Sequence, residues 1–213
     1  EGTKVFKVKE HYERLKKSCE LVNIPFNSSV EELVDATYEL LQKNNLVDAY
    51  VRPLVFCDPN MSLHRPNNVS IMICAWEWGA YLGEDGLNKG IRVKTSSYSR
   101  HHVNVSLVRA KASGYYINSI LANQEVTVHG YDEALLLDTD GYVSEGSGEN
   151  VFIVRDGVLY TPDLASCLAG ITRDAIITIA HDLGIEVREK RITRDEMYCA
   201  DEAFFTGTAA EVT

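Results

Sequence analysis

Lys111-Ala112-Ser113-Gly114-Tyr115-Tyr116 and, further on, Gly141-Tyr142-Val143-Ser144-Glu145-Gly146-Ser147-Gly148-Glu149-Asn150 are the stretches around which the chain is arranged. The first sets a lysine among small residues, with tyrosines close behind. A lysine that forms a Schiff base needs room for a flat ring and surroundings that disfavour its charge. Ala112, Ser113 and Gly114 provide that room. The second stretch embeds Glu145 and Glu149 in glycine and serine. A carboxylate aimed at a pyridine nitrogen would hold it protonated and make the ring an electron sink. Most lysines are solvated, however, and most glycine-serine runs are turns. On residue chemistry alone a Schiff-base enzyme is one candidate among several.

On either side of these stretches the pattern alternates short strands with helices. A helix is expected over Ala112 to Ala122, then strands around 133–138, 142–145, 150–155 and 158–161, broken at Asp140-Gly141 and Asp156-Gly157. Ile171 to Leu183 has a helical stripe of Ala175, Ile176, Ile179, Ala180 and Leu183, closed by Gly184. Thr193 with Glu196 forms a capping box, and Ala203 to Phe205 is a last strand. Upstream, a strand is expected over Thr3 to Val8 and a helix over Glu10 to Val22. A second helix over 30–43 opens with a Ser28/Glu31 capping box and has Leu33, Ala36, Leu40 and Leu41 inward. Strands follow over 48–57, 69–76 and Ile91 to Ser97, and Gly83 to Gly90 reads as a connector. The domains expected are therefore 1–86 and 91–213, joined by 87–90. Both ends read as cut, with no initiating Met and a stop straight after a turn-like segment.

With 213 residues and 45% hydrophobic content the chain can bury a substantial core. A formal net charge of -10 argues against nucleic-acid or membrane-surface partners, and no apolar run is long enough to span a bilayer. Five scattered cysteines without a CxxC pair indicate neither a disulfide framework nor a zinc site, so no metal is expected and the chain reads as cytoplasmic.

Two places suit an anion. Gly170-Ile171-Thr172 opens a helix, where unpaired amides and the helix dipole favour a phosphate. Thr206-Gly207-Thr208-Ala209 follows a strand and offers hydroxyls and accessible amides. Arg14 could add a fixed charge, and Tyr50 and Arg52 share one strand face. Trp76, Trp78 and Tyr81 cluster in sequence.

Seven motifs, in order, carry a resemblance: Tyr50-Val51-Arg52-Pro53-Leu54-Val55-Phe56, Trp78-Gly79-Ala80-Tyr81-Leu82-Gly83, Lys111 to Gly114, Gly130-Tyr131-Asp132-Glu133-Ala134, Ser144 to Asn150, Gly170-Ile171-Thr172-Arg173-Asp174 and Ala200 to Glu211. Together they closely resemble the branched-chain amino acid aminotransferases, pyridoxal-phosphate enzymes of fold type IV. The resemblance implies an α/β (α+β-like) fold of two domains, a small α/β domain and a larger pseudo-barrel domain, and a homo-oligomer of at least two copies. It implies transfer of an amino group between leucine, isoleucine or valine and 2-oxoglutarate. Other activities of the same fold, a D-amino acid aminotransferase or an aminodeoxychorismate lyase, and a non-catalytic fragment are the rivals.

By resemblance, Lys111 matches the Schiff-base lysine, Glu145 the carboxylate on the pyridine nitrogen and Tyr116 the phenol near the ring oxygen. Arg14, Ile171, Thr172 and Thr208 match the phosphate cup. Gly207, Thr208 and Ala209, with Tyr50, match the receiver of the substrate's α-carboxylate; Arg52 matches the partner of glutamate's second carboxylate. Trp78 and Tyr81 match walls of the side-chain pocket. The chain departs from the family pattern at Tyr115, where asparagine is usual, and at His101 and Ala169, where proline is common.

Overall fold

A computed structural model describes residues 4–63, 68–79 and 83–213. The chain divides into two compact units, residues 1–79 and 80–213.

In the first unit, α1 (Val8–Leu21) packs on α2 (Val30–Lys43), burying Tyr12, Cys19, Leu33 and Leu41. Tyr12 Oη and Thr37 Oγ1 form a buried hydrogen bond of 2.5 Å, and Thr37 Oγ1 also donates to Leu33 O at 2.8 Å. Thr37 thus takes the inward position expected of Ala36, which is exposed. Its hydroxyl is satisfied in place, so burial leaves no polar group unpaired. A hairpin of β1 (Tyr50–Cys57) and β2 (Val69–Trp76) follows, with Tyr50 opposite Trp76 and Arg52 opposite Cys74.

Two expectations here need correction. No strand runs over residues 4–8: Lys7 has a left-handed φ of 52°, Val8 begins α1, and Val5 N donates to Tyr38 Oη at 3.3 Å. A left-handed residue interrupts the extended path that a strand needs. The capping box is Ser29/Glu32, one residue later than Ser28/Glu31, with Glu32 N donating to Ser29 Oγ at 3.1 Å and Ser29 N to Glu32 Oε2 at 2.8 Å. A helix whose first residue is Val30 must take its cap from position 29.

The second unit begins with α3 (Gly83–Lys89), so the stretch read as a connector is helical up to Gly90. A three-stranded sheet has the order β3-β4-β5, with β3 (Val93–Thr95) parallel to β4 (Glu133–Leu137) and β4 antiparallel to β5 (Val143–Gly146). A five-stranded sheet has the order β10-β9-β6-β7-β8. Its strands are β6 (Asn150–Arg155), β7 (Val158–Thr161), β8 (Val187–Glu189), β9 (Glu202–Gly207) and β10 (Glu211–Val212). Asp156 and Gly157, at φ 51° and 75°, make the turn between β6 and β7. Left-handed backbone at both positions matches the strands' twist.

One buried cluster, Leu135, Val143, Val151, Ile153, Ile192 and Phe205, draws on both sheets. A second joins Phe152 and Leu159 to Ala180 of α5 (Ile171–Asp182). On α5 the expected stripe is buried in part, at Ala180 with Ile176 packed beside it. Arg173 and Ala180 are buried, whereas Ile179 is 52% and Leu183 70% exposed. Arg173 is drawn inward by Glu189 Oε2 at 2.6 Å and Pro162 O at 3.0 Å, which compensate its charge. The short α6 (Arg194–Tyr198) opens with the expected Thr193/Glu196 capping box.

Candidate active site

Lys111 lies at the end of a long loop, on the threshold of a helix. Ala112 is extended, at φ -99° and ψ 134°; Ser113–Tyr115 make a 3-10 turn; α4 (Tyr116–Thr127) then begins. The helix therefore starts four residues later than expected. This delay keeps Lys111 off the helical ladder and brings Tyr116 round to it. Lys111 Nζ donates to Tyr116 Oη at 2.6 Å and lies 5.3 Å from that ring's centroid. Gly114 leaves open space where a side chain would be.

Glu145 is buried on β5. Leu168 N donates to its Oε2 at 3.0 Å, and Arg100 Nε lies 2.7 Å from its Oε1. That last contact is an ion pair whose alignment falls outside a directional hydrogen bond. Burial pushes the Glu145 carboxyl up; Arg100, the Leu168 amide and Lys111 oppose it. Arg100 is itself held on α4, donating to Ser119 Oγ at 3.0 Å and Asn118 Oδ1 at 3.3 Å. Arg100, His101, Lys111, Tyr115, Tyr116 and Leu168 line one depression. Tyr115 turns towards the preceding loop, its ring 6.0 Å edge-on from His101 and its hydroxyl accepting from Leu107 N at 3.4 Å.

The first turn of α5 carries Ile171 and Thr172, and no side chain caps it. The approach to it is clamped by Asn150, whose Nδ2 donates to Leu168 O at 2.9 Å. A Cβ at Gly170 would stand 2.0 Å from Asn150 Oδ1, so only glycine fits there. The Gly207-Thr208-Ala209 turn between β9 and β10 lies against Glu149 and Gly148: a Cβ at Gly207 would meet Glu149 Cγ at 3.4 Å and Gly148 O at 3.6 Å. Next to it Thr206 is buried, its Oγ1 without a hydrogen-bond partner among the described residues.

Of the residues expected at the site, Lys111, Tyr116, Glu145, Ile171, Thr172, Gly207, Thr208 and Ala209 all belong to the second unit. Arg14, Tyr50, Arg52 and Trp78 belong to the first. There Tyr50 packs on Trp76 at 5.2 Å and edge-on against Trp78 at 4.7 Å, while Trp76 stacks on Trp78 at 5.6 Å. Arg52 is exposed and Arg14 half-buried on α1. Tyr81 lies outside the described residues. Arg100 and Leu168 were not legible beforehand, and Asn150, though it closes a quoted motif, was given no role. Their partners lie 18 to 45 positions away, and no local motif marks Arg100 or Leu168.

A lysine tied to a phenol, a buried carboxylate with its arginine and an uncapped helix start together suit Schiff-base chemistry on an anionic cofactor. The family model described as amino-transferase class IV matches residues 1–213, and the chain belongs to that family. A curated relative, the branched-chain-amino-acid aminotransferase of Pseudomonas aeruginosa, is 53% identical over 215 residues, covering 100% of this chain and 70% of its own. Among solved structures, the branched-chain amino acid aminotransferase of Escherichia coli matches at a TM-score of 0.95 and 47% identity, over 98% of this chain and 70% of that one. The enzyme from Thermobaculum terrenum in its PLP form matches at 0.90 and 37%, over 98% and 68%. The mixed α/β architecture is thus that of fold type IV. No described helix is long and apolar enough to cross a membrane.

Proposed function

We propose that this chain is a branched-chain-amino-acid aminotransferase, moving the amino group of leucine, isoleucine or valine to 2-oxoglutarate with pyridoxal phosphate. The observation that carries the reading is the 2.6 Å bond from Lys111 Nζ to Tyr116 Oη beside a buried Glu145, in a chain with a whole-length relative of that activity. When bound, the cofactor supplies an aldehyde for the lysine and a ring that takes up electrons. The residues fit it. Lys111 is the amine that anchors it and then moves a proton on and off the substrate carbon. Tyr116 orients that amine. Glu145, whose charged form Arg100 favours against the effect of burial, answers a positive ring nitrogen. The uncapped start of α5 at Ile171 and Thr172, with Thr208, receives the phosphate.

In the second unit Gly207, Thr208 and Ala209 receive the substrate's carboxylate; in the first, Arg52 meets the second acid of glutamate and Trp78, packed edge-on against Tyr50, walls the branched chain. An arginine beside an aromatic pocket suits a site that takes both an apolar chain and an acid in turn. Self-association belongs to the same reading. Ile117, Ile120 and Leu121 stand exposed on one side of α4 (65%, 51% and 40%), an apolar stripe of the kind a second copy covers.

The test is the absorption spectrum of the purified protein on addition of L-leucine and then 2-oxoglutarate. Leucine should bleach the visible cofactor band, 2-oxoglutarate should restore it, and Lys111→Ala should never form it. A band that responds to D-alanine and ignores L-leucine would move the assignment to a D-amino acid aminotransferase.

A further inference from the structure

Two buried carboxyls face one another beneath the turn that joins β5 to β6. Glu133, fully buried at the start of β4, accepts through Oε1 from Ala134 N at 2.6 Å and Ser147 N at 3.2 Å. Its Oε2 is buried and receives no hydrogen bond among the described residues, and the two carboxyls are brought together by accepting from successive amides of one turn, Ser147 N and Gly148 N. Glu149 is 4% exposed. It grips the same turn from the other side, its Oε2 accepting from Gly148 N at 3.0 Å and its carbonyl from Gly146 N at 2.7 Å. A Cβ at Gly146 would stand 2.8 Å from Glu149 Oε2, so the glycine there is what admits the carboxyl.

Two carboxyls this close and this dry cannot both be ionised without a cation to compensate them. We infer that Glu133 and Glu149 share one proton, and that the pair positions the 146–149 turn and, through it, Glu145 and the 207–209 turn. Glu149 is the donor and Glu133 the acceptor, which answers the otherwise orphaned Oε2. Burial, then Glu133, push the Glu149 carboxyl up to about 8, with Glu145 of β5 adding to them and the Gly148 amide opposing. From β9, Glu149 meets Gly207, and Gly146 meets Phe205; neither ionises.

The turn has catalytic neighbours at both ends. Glu145 precedes it and Asn150 follows it, and both are bonded to the Leu168 backbone that leads into α5. Glu149 Cγ backs Gly207, next to Thr208 and Ala209. The pair is therefore a strut between the ring carboxylate and the carboxylate-receiving turn. It contacts no substrate, and its role in catalysis rests on the function proposed above.

The sign of the pH effect follows from linkage. Glu149 keeps in the folded chain a proton that the unfolded chain releases near 4.5, so stability falls as pH rises from there to about 8. Urea midpoints of the full chain, taken from about pH 5 to about pH 9, should show this fall, and Glu149→Gln should flatten it. Gln keeps a donor for Glu133 and cannot ionise. A Glu149→Gln curve with the wild-type slope would overturn the shared proton. In the cofactor-loaded protein Glu149→Ala should lower kcat/KM about tenfold by orphaning a buried acceptor, and Glu149→Gln should restore it and abolish the alkaline limb of the pH profile. An alanine variant with wild-type kinetics would overturn the positioning role. If no variant turns over leucine, the transaminase reading fails, while the urea curves still decide the carboxyl pair.

Discussion

Arg100 Nε lies 2.7 Å from Glu145 Oε1, and both side chains are nearly inaccessible, at 13% and 5%. The guanidinium comes from the loop before Lys111, so the lysine segment and Glu145 of β5 are tied by one ion pair. Removing one partner of such a pair leaves a buried, uncompensated charge, at a cost of about 3–5 kcal/mol. Arg100→Leu should therefore lower stability by several kcal/mol and raise the acid limb of the pH–rate profile, since Glu145 would protonate more easily. Arg100→Lys should restore only part of the loss, because an ammonium cannot reproduce the contacts to Ser119 and Asn118 together with the ion pair. Thermal denaturation and kcat/KM against pH measure both.

Tyr116→Phe keeps the ring and deletes the hydroxyl that accepts from Lys111 at 2.6 Å. A hydrogen bond of this kind contributes about 0.5–1.5 kcal/mol, so kcat should fall by roughly 2- to 13-fold with little change in Tm. An unchanged kcat would show that the phenol does not orient the amine.

Gly170→Ala places a carbon 2.0 Å from Asn150 Oδ1. Asn150 cannot withdraw without releasing Leu168 O, so the start of α5 must shift. Stability should fall by about 1–3 kcal/mol, and binding of cofactor and of inorganic phosphate should weaken together. Scanning calorimetry and phosphate titration of the protein without cofactor would separate the two effects.

Acid stability should depend on Glu125. Its carboxylate accepts from Ser96 Oγ at 2.5 Å and Ser97 N at 2.9 Å, and these bonds hold it down at about 2 against an ordinary 4.5. A depressed carboxyl contributes stability that is present above pH 4.5 and is lost as pH falls towards 2. Glu125→Gln should thus destabilise at neutral pH and reduce the acid-side loss seen in denaturation midpoints. Glu125 is half-buried at the surface, so solvent screening keeps the effect small.

The stripe on α4 predicts an effect of concentration. Ile117→Asp with Leu121→Lys should leave the buried Ser119, Ala122 and Val126 face intact and shift the protein towards the monomer in sedimentation. An unchanged sedimentation coefficient would remove α4 from the self-association surface.

Much of this was readable in advance where the cause is local. The four strands from 133 to 161 fell within a residue or two of their observed bounds, because their ends are set by Asp140-Gly141 and Asp156-Gly157, where Gly141, Asp156 and Gly157 take left-handed backbone. The Thr193/Glu196 box opened α6 as expected. Lys111 and Glu145 were legible through motifs, and the bond between Lys111 and Tyr116 spans only five residues. What was missed depends on distant neighbours. Strands β8 and β10 are two or three residues long and exist because β7 and β9 offer edges to pair with. Ile179 and Leu183 fit a helical stripe, yet α5 buries Arg173, whose acid partner is on β8.

By itself the sequence determined most of the elements and the turns between them, and its motifs singled out Lys111, Tyr116 and Glu145. Those follow from backbone preference and residue type, which act over a few positions. Only the tertiary structure decided which groups stand together: Arg100 with Glu145, Asn150 against Gly170, Glu133 and Glu149 on one turn. Electrostatic interactions fall off with distance in space, and burial amplifies them. Neither quantity exists until the sheets have closed over their shared core.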